Sequence, residues 1–117
     1  MSFRGTTVVF FRRSDGKLIG YRSSGHTGYA EAGEDIVCAG VSALTLATLN
    51  GLENILRIPC IASVDDQNAR LECIFESNAE EELIERAQLL MQTLLEGLQA
   101  IQLGFPRNVR VIFKEWR

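Results

Sequence analysis

A basic excess is missing from this sequence. It carries 12 lysines and arginines against 15 acids, a formal net charge of −3. Nonspecific nucleic-acid binding depends on a positively charged face, so direct nucleic-acid contact is not expected, whereas a basic protein partner suits the charge. Long apolar runs are also scarce. None approaches the roughly 18 residues of a membrane span, and no membrane partner is expected. The opening MSFRGTTVVFFRRSDG puts charges on both sides of a very short apolar run, unlike a signal or transit peptide. Cysteines number three, at 38, 60 and 73. An odd count at such spacings is no disulfide framework and predicts free thiols in a reducing cytoplasm. No CxxC or HxxxH spacing exists to build a metal site, and no metal or cofactor is expected. Repeats, linkers and low-complexity segments are absent.

What is present fits one globular domain over residues 1–117, with 46% hydrophobic and 23% charged residues. Thr6 to Phe11 is a β-branched and aromatic run and predicts a strand. Asp15-Gly16 marks a turn, and Lys17 to Tyr21 returns as the second strand of a hairpin. After a glycine-rich loop, Asp35 suits a helix N-cap and Gly51 a C-cap, with Ile36 to Asn50 between them. This helix is apolar nearly all the way round, which implies cover on more than one side, by a sheet and by another helix or a second copy of the chain. Ile61 to Val64 and Arg70 to Glu76 predict two more strands, the latter with Leu71, Cys73 and Phe75 on one face. Ser77 and Glu80 are spaced as a capping box. The helix beyond them carries an apolar stripe of Leu83, Ala87, Leu90, Leu94, Leu98 and Ile101 and stops at Gly104 and Pro106. Asn108 to Trp116 is the last strand. The order ββ-α-ββ-α-β predicts an α/β fold of two layers, two helices packed on one mostly antiparallel sheet.

The chemistry concentrates in GHTGYAEAGEDIVC, Gly25 to Cys38, which holds the only histidine. A thiol becomes a good nucleophile as a thiolate, favoured by a helix start or a nearby imidazolium. Cys38 falls within the first turn of the expected helix, and the loop is able to deliver His26. Such a pair attacks a carbonyl and then protonates the leaving amine. Glycines 25, 28 and 33 suit a loop that bends around a substrate backbone. Glu31, Glu34 and Asp35 oppose a thiolate by like charge, although Asp35 is placed to orient His26 and the acids to attract a basic substrate. The bland alternatives are a core cysteine and a solvated histidine. Cys60 and Cys73 read as packing residues of strands.

The stretch GHTGYAEAGEDIVCAGVSAL closely resembles the signature of the Prp family, the ribosomal-processing cysteine proteases of bacteria. The family's Gly-His, Tyr-Ala, Gly-x-Asp-Ile-Val-Cys-Ala and Val-Ser are matched at Gly25, His26, Tyr29, Ala30, Gly33, Asp35 to Ala39, Val41 and Ser42. Gly28 matches as well. Gly40 and Ala32 depart from it, standing where the family commonly has alanine and a bulkier residue. The resemblance implies a cysteine endopeptidase with Cys38 as nucleophile and His26 as general base. Asp35 and Ser42 would support the site, and Gly25, Gly28 and Tyr29 would meet the substrate. It further implies a homodimer and a substrate: the short N-terminal extension of large-subunit ribosomal protein number twenty-seven, cut after a phenylalanine in an apolar stretch. A noncatalytic ribosome-associated binding module and a thiol redox switch are the competing classes.

Overall fold

The structure, a computed structural model, describes residues 3–25 and 32–116, with the backbone alone for 32–35. Strand β1 (Thr6–Arg12) and strand β2 (Leu18–Ser24) form the expected hairpin. Gly16 has φ 93°, a conformation that favours glycine, and the Asp15 carboxylate accepts the Lys17 N–H at 3.1 Å. After helix α1 (Ala32–Asn50) come β3 (Cys60–Asp65), β4 (Arg70–Phe75), helix α2 (Glu81–Gly104) and β5 (Val109–Glu115). The sheet runs β3-β4-β2-β1-β5. Only β1 and β5 pair in parallel, Thr6 opposite Val109 and Phe10 opposite Phe113. The two-layer, mostly antiparallel reading holds.

Register sorts the side chains. Phe10 faces Tyr21, and Tyr21 faces Cys73, so these three share one side of the sheet with Val8, Leu71 and Phe75. All six are buried. Helix α1 covers that side, since the buried Tyr21 hydroxyl donates to the Thr45 carbonyl at 2.8 Å. Helix α2 is tied to the hairpin by Gln88. Its side-chain amide accepts the Leu18 N–H at 2.8 Å and donates to the Leu18 carbonyl at 2.9 Å. On the opposite side, Val9 and Phe11 are buried without a helix. The Trp116 ring meets the Phe11 ring edge-on, centroids 5.1 Å apart, and the Arg22 guanidinium lies 5.5 Å from the Phe11 centroid.

Three local expectations are corrected. Asp35 is not the N-cap: the helix is already formed at Ala32, so Asp35 has helical backbone, and an N-cap does not. Gly51 does not end the helix. The chain widens into a π-helical segment, Gly51–Leu56, and leaves at Arg57, whose φ is 60° and whose N–H donates to the Leu52 carbonyl. A Cβ on Gly51 would meet a Leu90 methyl at an ordinary 3.5 Å. Ser77 and Glu80 make no capping box. Glu80 itself is the N-cap, with no side-chain cap hydrogen bond, and Ser77 lies in the preceding turn.

The second cover of α1 is α2. Where the helices meet, Gly40 faces Ile101, Leu44 faces Gly97 and Gly51 faces Leu90. Numbers rise along one helix as they fall along the other, the signature of an antiparallel pair in which each small residue receives a large one. Deep burial on α2 therefore centres on Ile84, Ala87, Met91, Leu94 and Leu98, while Leu83, Leu90 and Ile101 of the expected stripe flank it, half-buried. Cover of α1 is still partial: Ile36 and Leu46 are exposed at 72% and 41%. The segment Ile36–Leu56 also corrects the view that nothing approaches a membrane span. Its 21 residues, at mean hydropathy 1.4, are long and apolar enough to cross one. Here Val37, Val41, Leu49 and Leu52 of that segment pack into the domain core.

The glycine seam yields a testable contrast. A Cβ on Gly40 meets Ile101 at an ordinary 3.6 Å, so Gly40→Ala should stabilise the fold by up to about 1 kcal/mol through helix propensity. A Cβ on Gly97 meets Leu44 at 3.1 Å, so Gly97→Ala should gain less or lose. Urea denaturation of both variants checks the order.

Candidate active site

The site is built from the end of β2 inward. Ser23 and Ser24 close the strand, and the Thr6 hydroxyl donates to the Gly25 carbonyl at 2.9 Å. Gly25 has φ +90°, and a Cβ there would come within 2.9 Å of the Gly5 carbonyl oxygen. Only glycine lets the chain leave the sheet in this direction. Gly25 thus has a backbone reason for its place in the motif. His26, Gly28 and Tyr29 lie outside the described residues.

Beyond that exit is a cleft of about 250 Å³, between the first half of α1 and the β3–β4 turn. One wall carries Cys38, Val41, Ser42 and Leu46 of α1; the other carries Val64, Asp65 and Asp66. Gly25 and Thr6 sit at its end. The structure therefore brings together Cys38, Ser42 and Gly25. Ser42 follows Cys38 by one helical turn on the same face, as residues four apart must. For Asp35 the backbone alone is described, three residues before Cys38 on the same helix. Cys38 is half-buried.

One part of the sequence reasoning changes here. With α1 formed from Ala32 onward, Cys38 stands in its second turn. The favourable field of a helix start fades within the first turn, so the helix start does not by itself single out Cys38.

The depth of Cys38 over the sheet is set by two buried side chains, Tyr21 and Thr45. Tyr21 anchors Thr45, one turn beyond Val41, and the Thr45 hydroxyl donates to the Val41 carbonyl at 2.9 Å. Burial pushes the Tyr21 pKa well up, so the phenol stays a neutral donor. The available signal was the tyrosine itself, whose hydroxyl needs a partner when its ring is buried. Asp65 and Asp66 were missed. They read as turn residues, and only the fold brings the turn to the cysteine. The Asp65 carboxylate takes the Asn68 amide at 2.6 Å and its N–H at 3.2 Å, which holds its pKa below the usual carboxylate range.

The remaining thiols sit as expected, Cys60 half-buried and Cys73 fully buried. The two free thiols interact. Hydrogen bonding from Cys73 lowers the Cys60 pKa, and the same contact, with burial, raises that of Cys73.

The sequence model of the family described as Cysteine protease Prp matches residues 6–110. The chain belongs to the cysteine protease Prp family. The ribosomal processing cysteine protease Prp of Staphylococcus aureus (strain Mu50) is 30% identical over 108 residues, 92% of this chain and 98% of that protein. Its counterpart in Bacillus subtilis (strain 168) is 28% identical over 101 residues, 86% and 90% of the two. The crystal structure of the S. aureus Prp with a substrate peptide superposes with a TM-score of 0.80 at 28% identity, covering 93% of this chain and 99% of that one. A Streptococcus mutans structure also reaches 0.80, at 28% identity over 96% and 99%. Prp membership makes this protein a cysteine protease on the two-layer fold read from its sequence.

Two outcomes are expected. Tyr21→Phe should cost about 1 kcal/mol in urea denaturation, the net worth of a buried hydrogen bond; unchanged stability would mean that the hydroxyl does not pin α1. Iodoacetamide on the native protein should label Cys38 and Cys60 and spare Cys73, as read by peptide mass spectrometry. Cys60 is thus a competing thiol, and Cys60→Ser is the cleaner background for following Cys38.

Proposed function

We propose that this Prp-family protease works through Cys38 as nucleophile and His26 as general base. The observation that carries the reading is that Cys38 and Gly25, the residue just before His26, line the same cleft. The imidazole takes the thiol proton, and the Cys38 sulfur attacks the scissile carbonyl. The carbon–nitrogen bond then breaks, with the imidazolium giving its proton to the leaving amine. Water, deprotonated by the same histidine, cleaves the thioester and frees the thiol. Asp35, on the chain between the two, orients the imidazole. Ser42, one turn behind the sulfur on the cleft wall, assists in holding the substrate. Gly25, Gly28 and Tyr29 meet the peptide backbone. Among the described residues, Asp65 and Asp66 take over the electrostatic part given to the loop acids, attraction of a basic segment.

The substrate in this reading is the N-terminal extension of large-subunit ribosomal protein number twenty-seven, and its removal serves ribosome assembly. The names of the relatives support ribosomal processing, and the S. aureus complexes support a peptide substrate. The whole chain acts as one protease domain in the cytoplasm, consistent with three free thiols. It pairs as a homodimer, for which the exposed Ile36 of α1 offers apolar surface.

Cys38→Ala and His26→Ala should each lower cleavage of the extended ribosomal protein at least about a thousandfold, with circular dichroism unchanged. Product mass after incubation reads the cut. Full cleavage by folded Cys38→Ala protein would sink the reading and favour a noncatalytic binding module.

A further inference from the structure

The two edges of the sheet are guarded differently. Edge strand β5 carries Arg110, Lys114 and Glu115, charges of the kind that discourage strand pairing. The opposite edge, β3, reads CIASVD and has no charge before its last residue. Its Ile61 and Val64 are exposed at 64% and 50%. An uncharged edge of this length is an open template for another strand.

Hydrogen bonding fixes which residues of β3 face outward. The Pro59 carbonyl accepts the Glu76 N–H at 2.9 Å, and the register then pairs Cys60 with Phe75, Ile61 with Ile74 and Ala62 with Cys73. Bonded and non-bonded pairs alternate in an antiparallel ladder. Ile61, Ser63 and Asp65 therefore turn their main-chain groups to β4. Cys60, Ala62 and Val64 turn both N–H and C=O to the free side. Their side chains lie on the helix-bearing face of the sheet, yet Ala62 and Val64 are exposed, so α1 does not reach over β3. Val64 and the exposed Leu46 both line the cleft of Cys38, and the part of that cleft between them is an apolar trough bordering β3.

We propose that the free edge of β3 is the docking strand for the substrate's main chain. An extended, apolar peptide segment joins as a sixth strand, exchanging hydrogen bonds with Cys60, Ala62 and Val64. Its alternate side chains fill the trough between Leu46 and Val64, and its scissile carbonyl arrives at the cleft. Main-chain pairing supplies affinity and the trough supplies the preference for apolar side chains. The continuity of trough and cleft selects a substrate peptide as occupant over a second copy of the edge. The inference rests on the protease reading and adds how that protease holds its substrate.

The test uses full-length Cys38→Ala protein and a synthetic peptide spanning the cut in the organism's own extended ribosomal protein. Amide hydrogen exchange followed by NMR should show new protection at Ala62 and Val64 on adding peptide, while Ile61, Ser63 and Asp65 are protected throughout. In parallel, peptides methylated at single backbone nitrogens are offered to the wild-type enzyme. Methylation at every second amide ahead of the cut should lower kcat/KM about tenfold or more per site, and methylation at the intervening amides should not. A peptide that is cleaved by wild type but leaves Ala62 and Val64 exchange unchanged overturns the edge pairing and leaves the protease reading standing. Protection of those amides that rises with protein concentration, without peptide, overturns it in favour of a second copy. A peptide neither cut by wild type nor bound removes the substrate reading and the docking with it.

Discussion

The placement of helix α1 on the sheet rests on one buried hydrogen bond. Tyr21 is fully buried in the middle of β2, and its hydroxyl has to find a partner, because an unsatisfied donor in an apolar core costs about 1–3 kcal/mol. The partner is the Thr45 carbonyl at 2.8 Å. Apolar contacts alone are non-directional and would tolerate sliding of the helix along its axis; the phenol is directional and ties one carbonyl to one strand position. Cys38 and Ser42 inherit their heights over the sheet from that tie, seven and three residues before Thr45.

The second constraint on α1 comes from its side. Gly40, Leu44 and Gly51 interlock with Ile101, Gly97 and Leu90 of α2. A large side chain opposite a small one on each level lets the two helices pack closely in a single register. With the sheet below and α2 beside it, α1 has one open flank, toward β3. That flank is where the chain leaves room: Ala62 and Val64 are uncovered, and the cleft opens between Leu46 and Val64. The cover that fixes the helix and the gap beside β3 are consequences of the same two-helix arrangement, in which α2 packs on β5 and on the start of β2 and α1 meets β2 at Tyr21.

Much of this was legible in the residues. Patterning gave all five strands and both helices, since the unbroken apolar run TVVFF, the period 2 of RLECIF and the repeat of three and four in α2 answer to which faces are buried. The helix ends were read less well. Asp35, Ser77 and Gly51 have the right identities for caps, but identity states only that a cap is possible. Beyond Gly51 the chain continues its helical course, burying Leu52 in the core. The stripe of α2 was read off centre because Leu83 and Ile84 are equally apolar. Sequence does not say which of two neighbours meets the sheet and which the second helix.

For the site, the sequence by itself determined the chemistry: one histidine, a cysteine twelve residues later, and an ordered motif around them. Those are local facts, held within eighteen residues from Gly25 to Ser42. Tertiary structure decided what that chemistry faces. It moved Cys38 into the second turn of its helix, set Asp65 and Asp66 across the cleft from it, and left the edge of β3 open beside it. None of these can be read from spacing, because residues more than twenty positions apart become neighbours only when two strands and a helix bury a common core.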